Sequence, residues 1–291
     1  MILNPFRFAL AAPVVEPVFT PIPFEDVKTG LWGAFSLSRL YADSTPAIQA
    51  INLNTGVQSA IGFKPDGSFD TDQLSTLSGG TDSVAVINFN NQLGDIDKRF
   101  AGATVQLRPK IAVDGVYANS IRFDYSAMSG QDFSGTHSAY TVFMRGKLRE
   151  TSGSGVLLEL GTNFNSTNSV MILSTNGKIS VNIHTASGDV YDASDYDTTL
   201  NNQVHAYRID RSQAAAEDRA VQFVNGVRKT RISGSVEGTT GPTFANAIWY
   251  LGARVAGSIY STLDLHTLMI YTTPLTDAQI AGISASINAL P

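Results

Sequence analysis

Three acidic residues stand where a strand could turn a carboxylate to one side. They are Glu159 within Leu157-Leu158-Glu159-Leu160, Asp210 after Val204–Ile209, and Asp264 within Leu263–Tyr271. A retaining glycosidase needs two carboxyls about 5 Å apart, one of them with a raised pKa. Glu159 has no partner of matching context in the sequence, and a lone Glu among leucines is expected to face outward on an exposed sheet. No catalytic residue is assigned on this basis. The more ligand-like stretch is Asp189-Val190-Tyr191-Asp192-Ala193-Ser194-Asp195-Tyr196-Asp197. Read as a rim loop, Asp189, Asp192, Asp195 and Asp197 offer the oxygens that calcium prefers. Tyr191 and Tyr196 offer rings and hydroxyls for a sugar. The spacing matches no defined calcium loop, so no metal site is assigned, and a solvated polar loop accounts for the same residues.

Other chemistry is thin. His137, His184, His205 and His266 are scattered, with His205 and His266 inside strand-like runs, so structural roles are expected for both. The chain has no cysteine, which excludes disulfide frameworks and thiol catalysis. It has no phosphate-binding glycine loop and no Gly-x-Ser-x-Gly elbow. A net charge of −5 with no Lys/Arg-rich run argues against a nucleic-acid partner. No apolar run reaches the roughly 20 residues that span a bilayer, and Met1–Ala12 lacks both a charged leader and an unbroken apolar run. A membrane partner is therefore not expected.

These residues must be carried by short strands. Hydrophobic residues make up 43% of 291, charged residues 15%, and the 25 glycines suit frequent tight turns. From Asn119 onward strand-like runs of about five residues recur roughly every ten, the rhythm of an antiparallel sandwich. Asn176-Gly177 and Asn225-Gly226 are strong hairpin signals, and Asn54-Thr55-Gly56 is another turn. Asp70 precedes Leu74 and Leu77 as the cap of a short helix. Thr276-Asp277-Ala278-Gln279 opens a second, with Ile280, Ile283 and Ile287 on one stripe. Trp249 and Tyr250 are read as core or edge packing, with a sugar-stacking platform as the alternative. Residues 1–30 contain Pro5, Pro13, Pro17, Pro21 and Pro23 among apolar residues, which favours an extended arm. Phe6, Phe8, Val15, Phe19 and Phe24 would anchor it to its own domain or to a neighbouring protein. The expected organisation is an arm over 1–30, an elaboration of the sandwich over 31–118, and a lectin-like sandwich over 119–291.

Two resemblances sharpen this. Gln203-Val204-His205-Ala206-Tyr207-Arg208-Ile209-Asp210, the hairpin Val221–Gly226, and the close Leu263–Tyr271 followed by Pro274–Ile280 resemble laminin-G and concanavalin-like domains. The stretch Ala34–Leu40, Pro46-Ala47-Ile48, Ile61-Gly62-Phe63, Asp66-Gly67 and Asp70–Leu74, with Arg108–Ile111 downstream, resembles the catalytic domain of fungal α-L-arabinofuranosidase B. The same segment is similar to one found in phage virion proteins that carry a concanavalin-like sandwich. Together the resemblances cover about 31–290 and imply an all-β, concanavalin-like jelly roll. Where the arabinofuranosidase pattern has an aromatic pair and an Asp, this chain reads Asn88-Phe89-Asn90-Asn91-Gln92-Leu93-Gly94-Asp95, and the family's paired cysteines are missing. That departure implies a retained scaffold.

The resulting expectation is a non-enzymatic virion protein, such as a capsid decoration, head fibre or tail-associated subunit, assembled in the host cytoplasm. Its partners would be other virion proteins held through the arm, cell-surface glycans, or further copies of itself. No cofactor is required, with calcium the one candidate. The alternatives are a glycan-binding adhesin outside a phage and an arabinofuranosidase-like hydrolase.

Overall fold

The computed structural model describes residues 28–79, 84–95, 97–102, 108–112, 120–130, 136–162, 167–184, 191–234, 243–244, 246–254 and 259–291. The anchoring residues Phe6, Phe8, Val15, Phe19 and Phe24 lie outside them. The first part of the chain forms β1 (Leu31–Ser36), β2 (Ile48–Asn52), β3 (Gln58–Ile61), α1 (Thr71–Ser78), β4 (Val84–Phe89), β5 (Phe100–Gly102) and β6 (Lys110–Ala112). Next come β7 (Ser120–Asp124), β8 (Met128–Gly130), β9 (Ala139–Leu148), β10 (Ser154–Gly161), β11 (Val170–Thr175), β12 (Lys178–His184) and β13 (Tyr191–Tyr196). The last part contains β14 (Asn201–Asp210), α2 (Ala216–Arg219), β15 (Ala220–Val224), β16 (Val227–Arg228), β17 (Ile248–Leu251), β18 (Thr262–Tyr271) and α3 (Asp277–Asn288). No helix among the described residues is long and apolar enough to cross a membrane.

The fold is an all-β antiparallel sandwich. One layer runs β15–β14–β9–β18, with β1 and β7 pairing opposite ends of β18. The other runs β13–β12–β11–β10–β17–β8–β5. Strands β4, β2, β3 and β6 connect the two layers along one side, through β4–β5 and β6–β7. The turns obey local chemistry: Asn176-Gly177 and Asn225-Gly226 adopt positive φ at both positions, as two-residue hairpins with the strand twist require.

Between the layers lies one core. It takes Tyr140, Val142 and Met144 from β9 and Leu268 and Ile270 from β18, against Leu158, Leu160, Ile172, Val181 and Trp249 from the opposite layer. A second cluster covers the back of the first layer, where Phe143, Val221, Phe223 and Met269 meet Ile280, Ile283 and Ile287 of α3. The sequence places α3 there because its apolar stripe has a 3.6-residue period. A capping box between Thr276 and Gln279 starts the helix. Asp70 likewise caps α1 by accepting from the backbone N–H groups of Asp72 and Gln73.

Two of the strand histidines, His205 and His266, are structural. His205 is packed beside Tyr207 and Gln222, and burial, then the charge of Lys229, pushes its pKa down to about 4. Burial, then Arg145, pushes His266 down to about 3. An unfolded histidine takes up its proton near 6.5, so below that value the unfolded chain binds more protons than the folded one. Stability should therefore fall as pH drops from 6.5 toward 4 for His205 and toward 3 for His266, with a slope approaching about 1.4 kcal/mol per pH unit for each. Urea denaturation across this range checks it. His205→Gln and His266→Gln should each flatten the slope, and an unchanged slope in both would count against neutral burial.

Candidate functional site

Alternation along β10 decides where its one acid points. Leu158 and Leu160 enter the inter-layer core, so Glu159 faces the outer side of the second layer. Cross-strand register builds a row on that face: Ser129 opposite Tyr250, Tyr250 opposite Glu159, Glu159 opposite Met171, and Met171 opposite Asn182. Paired residues share a face, with Cβ atoms about 5 Å apart. Met171 and Asn182 are buried, whereas Ser129 and Tyr250 are half-buried. The face therefore reaches solvent through Tyr250 and closes over the carboxylate.

Glu159 was expected outward on an exposed sheet. It does point away from the core, but it is only 1% exposed. The reason is ionic: Arg254, itself buried, places Nε 3.4 Å from Glu159 Oε1. A carboxylate out of water needs a counter-charge of this kind. Tyr250 adds a third group. Burial first, then the Glu159 carboxylate, raise its phenol above the ordinary value of 10. Sequence reasoning missed Arg254, because nothing in Ala253-Arg254-Val255 signals that the chain folds it back onto β10. It read Tyr250 as packing first and as part of a sugar-stacking platform second.

The other acids do not join Glu159. Asp264 is also 1% exposed, but Leu263 and Leu265 on either side of it face the same core from the opposite layer. Asp264 thus lies on the back of the sandwich, where Arg122 Nε and Arg149 Nε approach one of its oxygens at 3.1 and 3.3 Å. Asp210 accepts from the Ser212 backbone N–H and hydroxyl and from Gln213, closing the turn after β14.

The acidic stretch is not a rim loop over most of its length. Asp189 lies outside the described residues, and Tyr191–Tyr196 is strand β13, paired residue for residue with β12. Period-2 burial overrides the polar composition here. Tyr196 turns inward and donates its hydroxyl to the Ala220 carbonyl at 2.5 Å. Asp195 accepts from the hydroxyls of Ser180 and Ser233. Asp192 lies in the same strand, and Asp197, just past its end, is 3.7 Å from Lys178. Among the described residues no three His, Asp or Glu side chains group as a metal cluster would. A surface cavity of about 860 Å³ between the β2–β3 hairpin and α1 lies elsewhere. Among its polar groups, Asp70 caps α1 and Lys64 pairs with Asp72.

No family model matches the chain, and no curated protein matches it in sequence. Solved structures share its fold. An arabinofuranosidase complexed with arabinofuranosyl-α-1,2-xylobiose is 9% identical, with a TM-score of 0.60 over 92% of this chain and 64% of that one. A glutamate-to-glutamine mutant of a GH54 α-L-arabinofuranosidase, soaked with 4-nitrophenyl α-L-arabinofuranoside, is 10% identical, with a TM-score of 0.58 over 89% of this chain and 62% of that one. A Ruminococcus gnavus sialidase CBM40 domain bound to α2,3-sialyllactose is a partial likeness: 14% identity, TM-score 0.41, 51% of this chain and 83% of that one. The chain spans less than two thirds of the length of the two arabinofuranosidases. The expectation of a non-enzymatic chain gives way here, because the fold running through nearly all of it is one that glycoside hydrolases carry.

The Glu159–Arg254 pair makes a direct prediction about stability. Arg254→Met leaves a buried carboxylate without its counter-charge and should cost roughly 3–5 kcal/mol in chemical denaturation. Combining it with Glu159→Gln should recover most of that loss. Equal destabilisation by the single and double variants would show that the pair is not coupled.

Proposed function

We propose that the chain is a glycoside hydrolase acting on α-L-arabinofuranosides at the outer face of β10 and β17. The observation that carries this reading is the buried Glu159 carboxylate, held by Arg254 and bordered by the Tyr250 phenol on the half-open side of the face. Its fold likeness to arabinofuranosidases over most of the chain supports the choice of substrate.

Glycoside cleavage builds positive charge on the anomeric carbon and ring oxygen, and a carboxylate beside that carbon stabilises it or attacks it. Glu159 has this role in the proposal. Arg254 keeps the carboxylate fixed in position. Tyr250, protonated at neutral pH, offers a phenol hydroxyl beside the carboxylate to the incoming sugar. The group that protonates the leaving oxygen is neither Asp264, which faces the opposite side of the sandwich, nor Asp210, which closes a turn.

The test is release of 4-nitrophenol from 4-nitrophenyl α-L-arabinofuranoside by the whole chain. Glu159→Gln should lower kcat by at least about 10³-fold with an unchanged circular dichroism spectrum, and Tyr250→Phe should reduce it less. Activity that survives Glu159→Gln would remove the carboxylate from the mechanism.

The location on a particle drawn from the sequence is a separate proposal. It rests on the resemblance of Ala34–Leu74 to virion proteins and on the apolar, proline-rich stretch 1–30. Deleting residues 1–29 should leave a folded sandwich that mass spectrometry no longer finds in purified particles. Normal incorporation of the truncated chain would end this proposal.

A further inference from the structure

At one end of the sandwich the turn after β7 and the segment leading into β18 meet beside the start of β10. They border a cavity of about 170 Å³ lined by Tyr125, Glu150, Ser152, Ser174 and Tyr260, among others. Tyr125 is 65% exposed, and its ring meets that of Tyr260 edge-on with centroids 6.2 Å apart. The backbone is held in unusual states to present these rings. Tyr125 has φ +51° and Ile259 φ +49°, a conformation that a β-branched residue adopts only when its surroundings impose it.

The polar groups of the cavity divide into two sets. Thr262 Oγ1 accepts from the Glu150 backbone N–H, Ser261 Oγ donates to the Gly252 carbonyl, and Ser154 Oγ donates to Thr175 Oγ1. These groups build the wall. The Glu150 carboxylate and the hydroxyls of Ser152 and Ser174 make no hydrogen bond among the described residues. Of the three, Ser174 sits deepest in the wall, with its residue only 4% exposed, and its hydroxyl is left for a ligand or water to bond.

We propose that this cavity is an accessory subsite for one neutral sugar residue, separate from the Glu159 face. Its volume is below the range typical of drug-sized ligands and suits a single small ring. A carboxylate beside free hydroxyls pairs with vicinal sugar hydroxyls, while a tyrosine face accepts the C–H side of the ring. An anion would meet the Glu150 charge, and a purely apolar ligand would leave Glu150 and both serines unpaired. From Ser154 to Glu159 along β10 is five residues, or roughly 16 Å. The subsite therefore holds a more distant part of the same chain of sugars. The choice of ligand class rests on the carbohydrate reading above.

Binding of soluble arabinoxylan is measured by calorimetry on the full chain carrying Glu159→Gln, so that the ligand is not consumed. Tyr260→Ala and Glu150→Gln should each weaken binding by at least tenfold, and Tyr260→Phe should retain it. In the otherwise wild-type chain, Tyr260→Ala and Glu150→Gln should leave kcat on 4-nitrophenyl α-L-arabinofuranoside unchanged. Arabinoxylan binding indifferent to both variants, or no binding at all, overturns the subsite. Failure of the nitrophenyl glycoside to react, with binding still sensitive to Tyr260→Ala, overturns the hydrolase reading and leaves the subsite standing.

Discussion

Strands β9 and β18 are apolar on both faces, and this double requirement organises the molecule around them. Tyr140, Val142 and Met144 need the opposite layer, while Phe143 between them needs something behind. The same holds for Leu268 and Ile270 against Met269 and Tyr271. A two-layer sandwich alone satisfies one side only. The helix α3 and the segment at Leu40 and Tyr41 close the other, so elements nearly at opposite ends of the described chain pack on one patch. The second layer has no such need. Its outer side carries Ser129, Tyr250, Glu159 and Asn182 in register, a polar row that a sheet tolerates only when each group finds a partner or water.

The region that departs from the arabinofuranosidase pattern has its own structural logic. Asn91 and Gln92 stand where the resemblance would place part of a functional motif, and both are buried. Gln92 accepts from the Leu40 N–H and the Ser44 hydroxyl and donates to the carbonyls of Ser36 and Ser38, using all four bonding positions of its amide. Asn91 accepts from the Ala34 N–H and from the Leu93 N–H. These two side chains fix β1 and the chain after it against the strap that follows β4. Short polar side chains do what a strand ladder cannot, since the 36–44 segment runs without a pairing partner along most of its length. The middle of the sequence is thus tied into the sandwich.

What the sequence showed and concealed follows from the range of the interactions involved. The Asn-Gly hairpins, the Asp70 cap and the helix start at Thr276–Gln279 are decided within four residues, and all were legible. The sandwich was legible because alternation is a local signature of a half-buried or doubly buried strand. The acidic stretch 189–197 misled because its composition says loop while its period says strand, and Tyr196 shows the period winning. Arg254 was invisible for another reason. It meets Glu159 across 95 residues of sequence, and no local pattern encodes a pairing that only the β10–β17 ladder creates. Glu159 itself was identified, but its burial was not, because burial depends on that same long-range partner.

The placement of the acids also bears on chemistry. Glu159 and Asp264 have the same burial, and each is paired to arginine, so burial and pairing alone would rank them together. Strand parity separates them. Each is flanked by residues that enter the shared core, from opposite layers, so the whole thickness of the sandwich lies between them. Packed sheets stand about 10 Å apart before side chains extend outward, well beyond the roughly 5 Å of a retaining carboxyl pair. Asp264 is also engaged by two guanidinium groups, Arg122 and Arg149, which hold one of its oxygens in place on that side. Its position and its surroundings agree: Asp264 is a structural acid that neutralises a basic edge, and Glu159 stands apart from it on the outer face of the opposite layer.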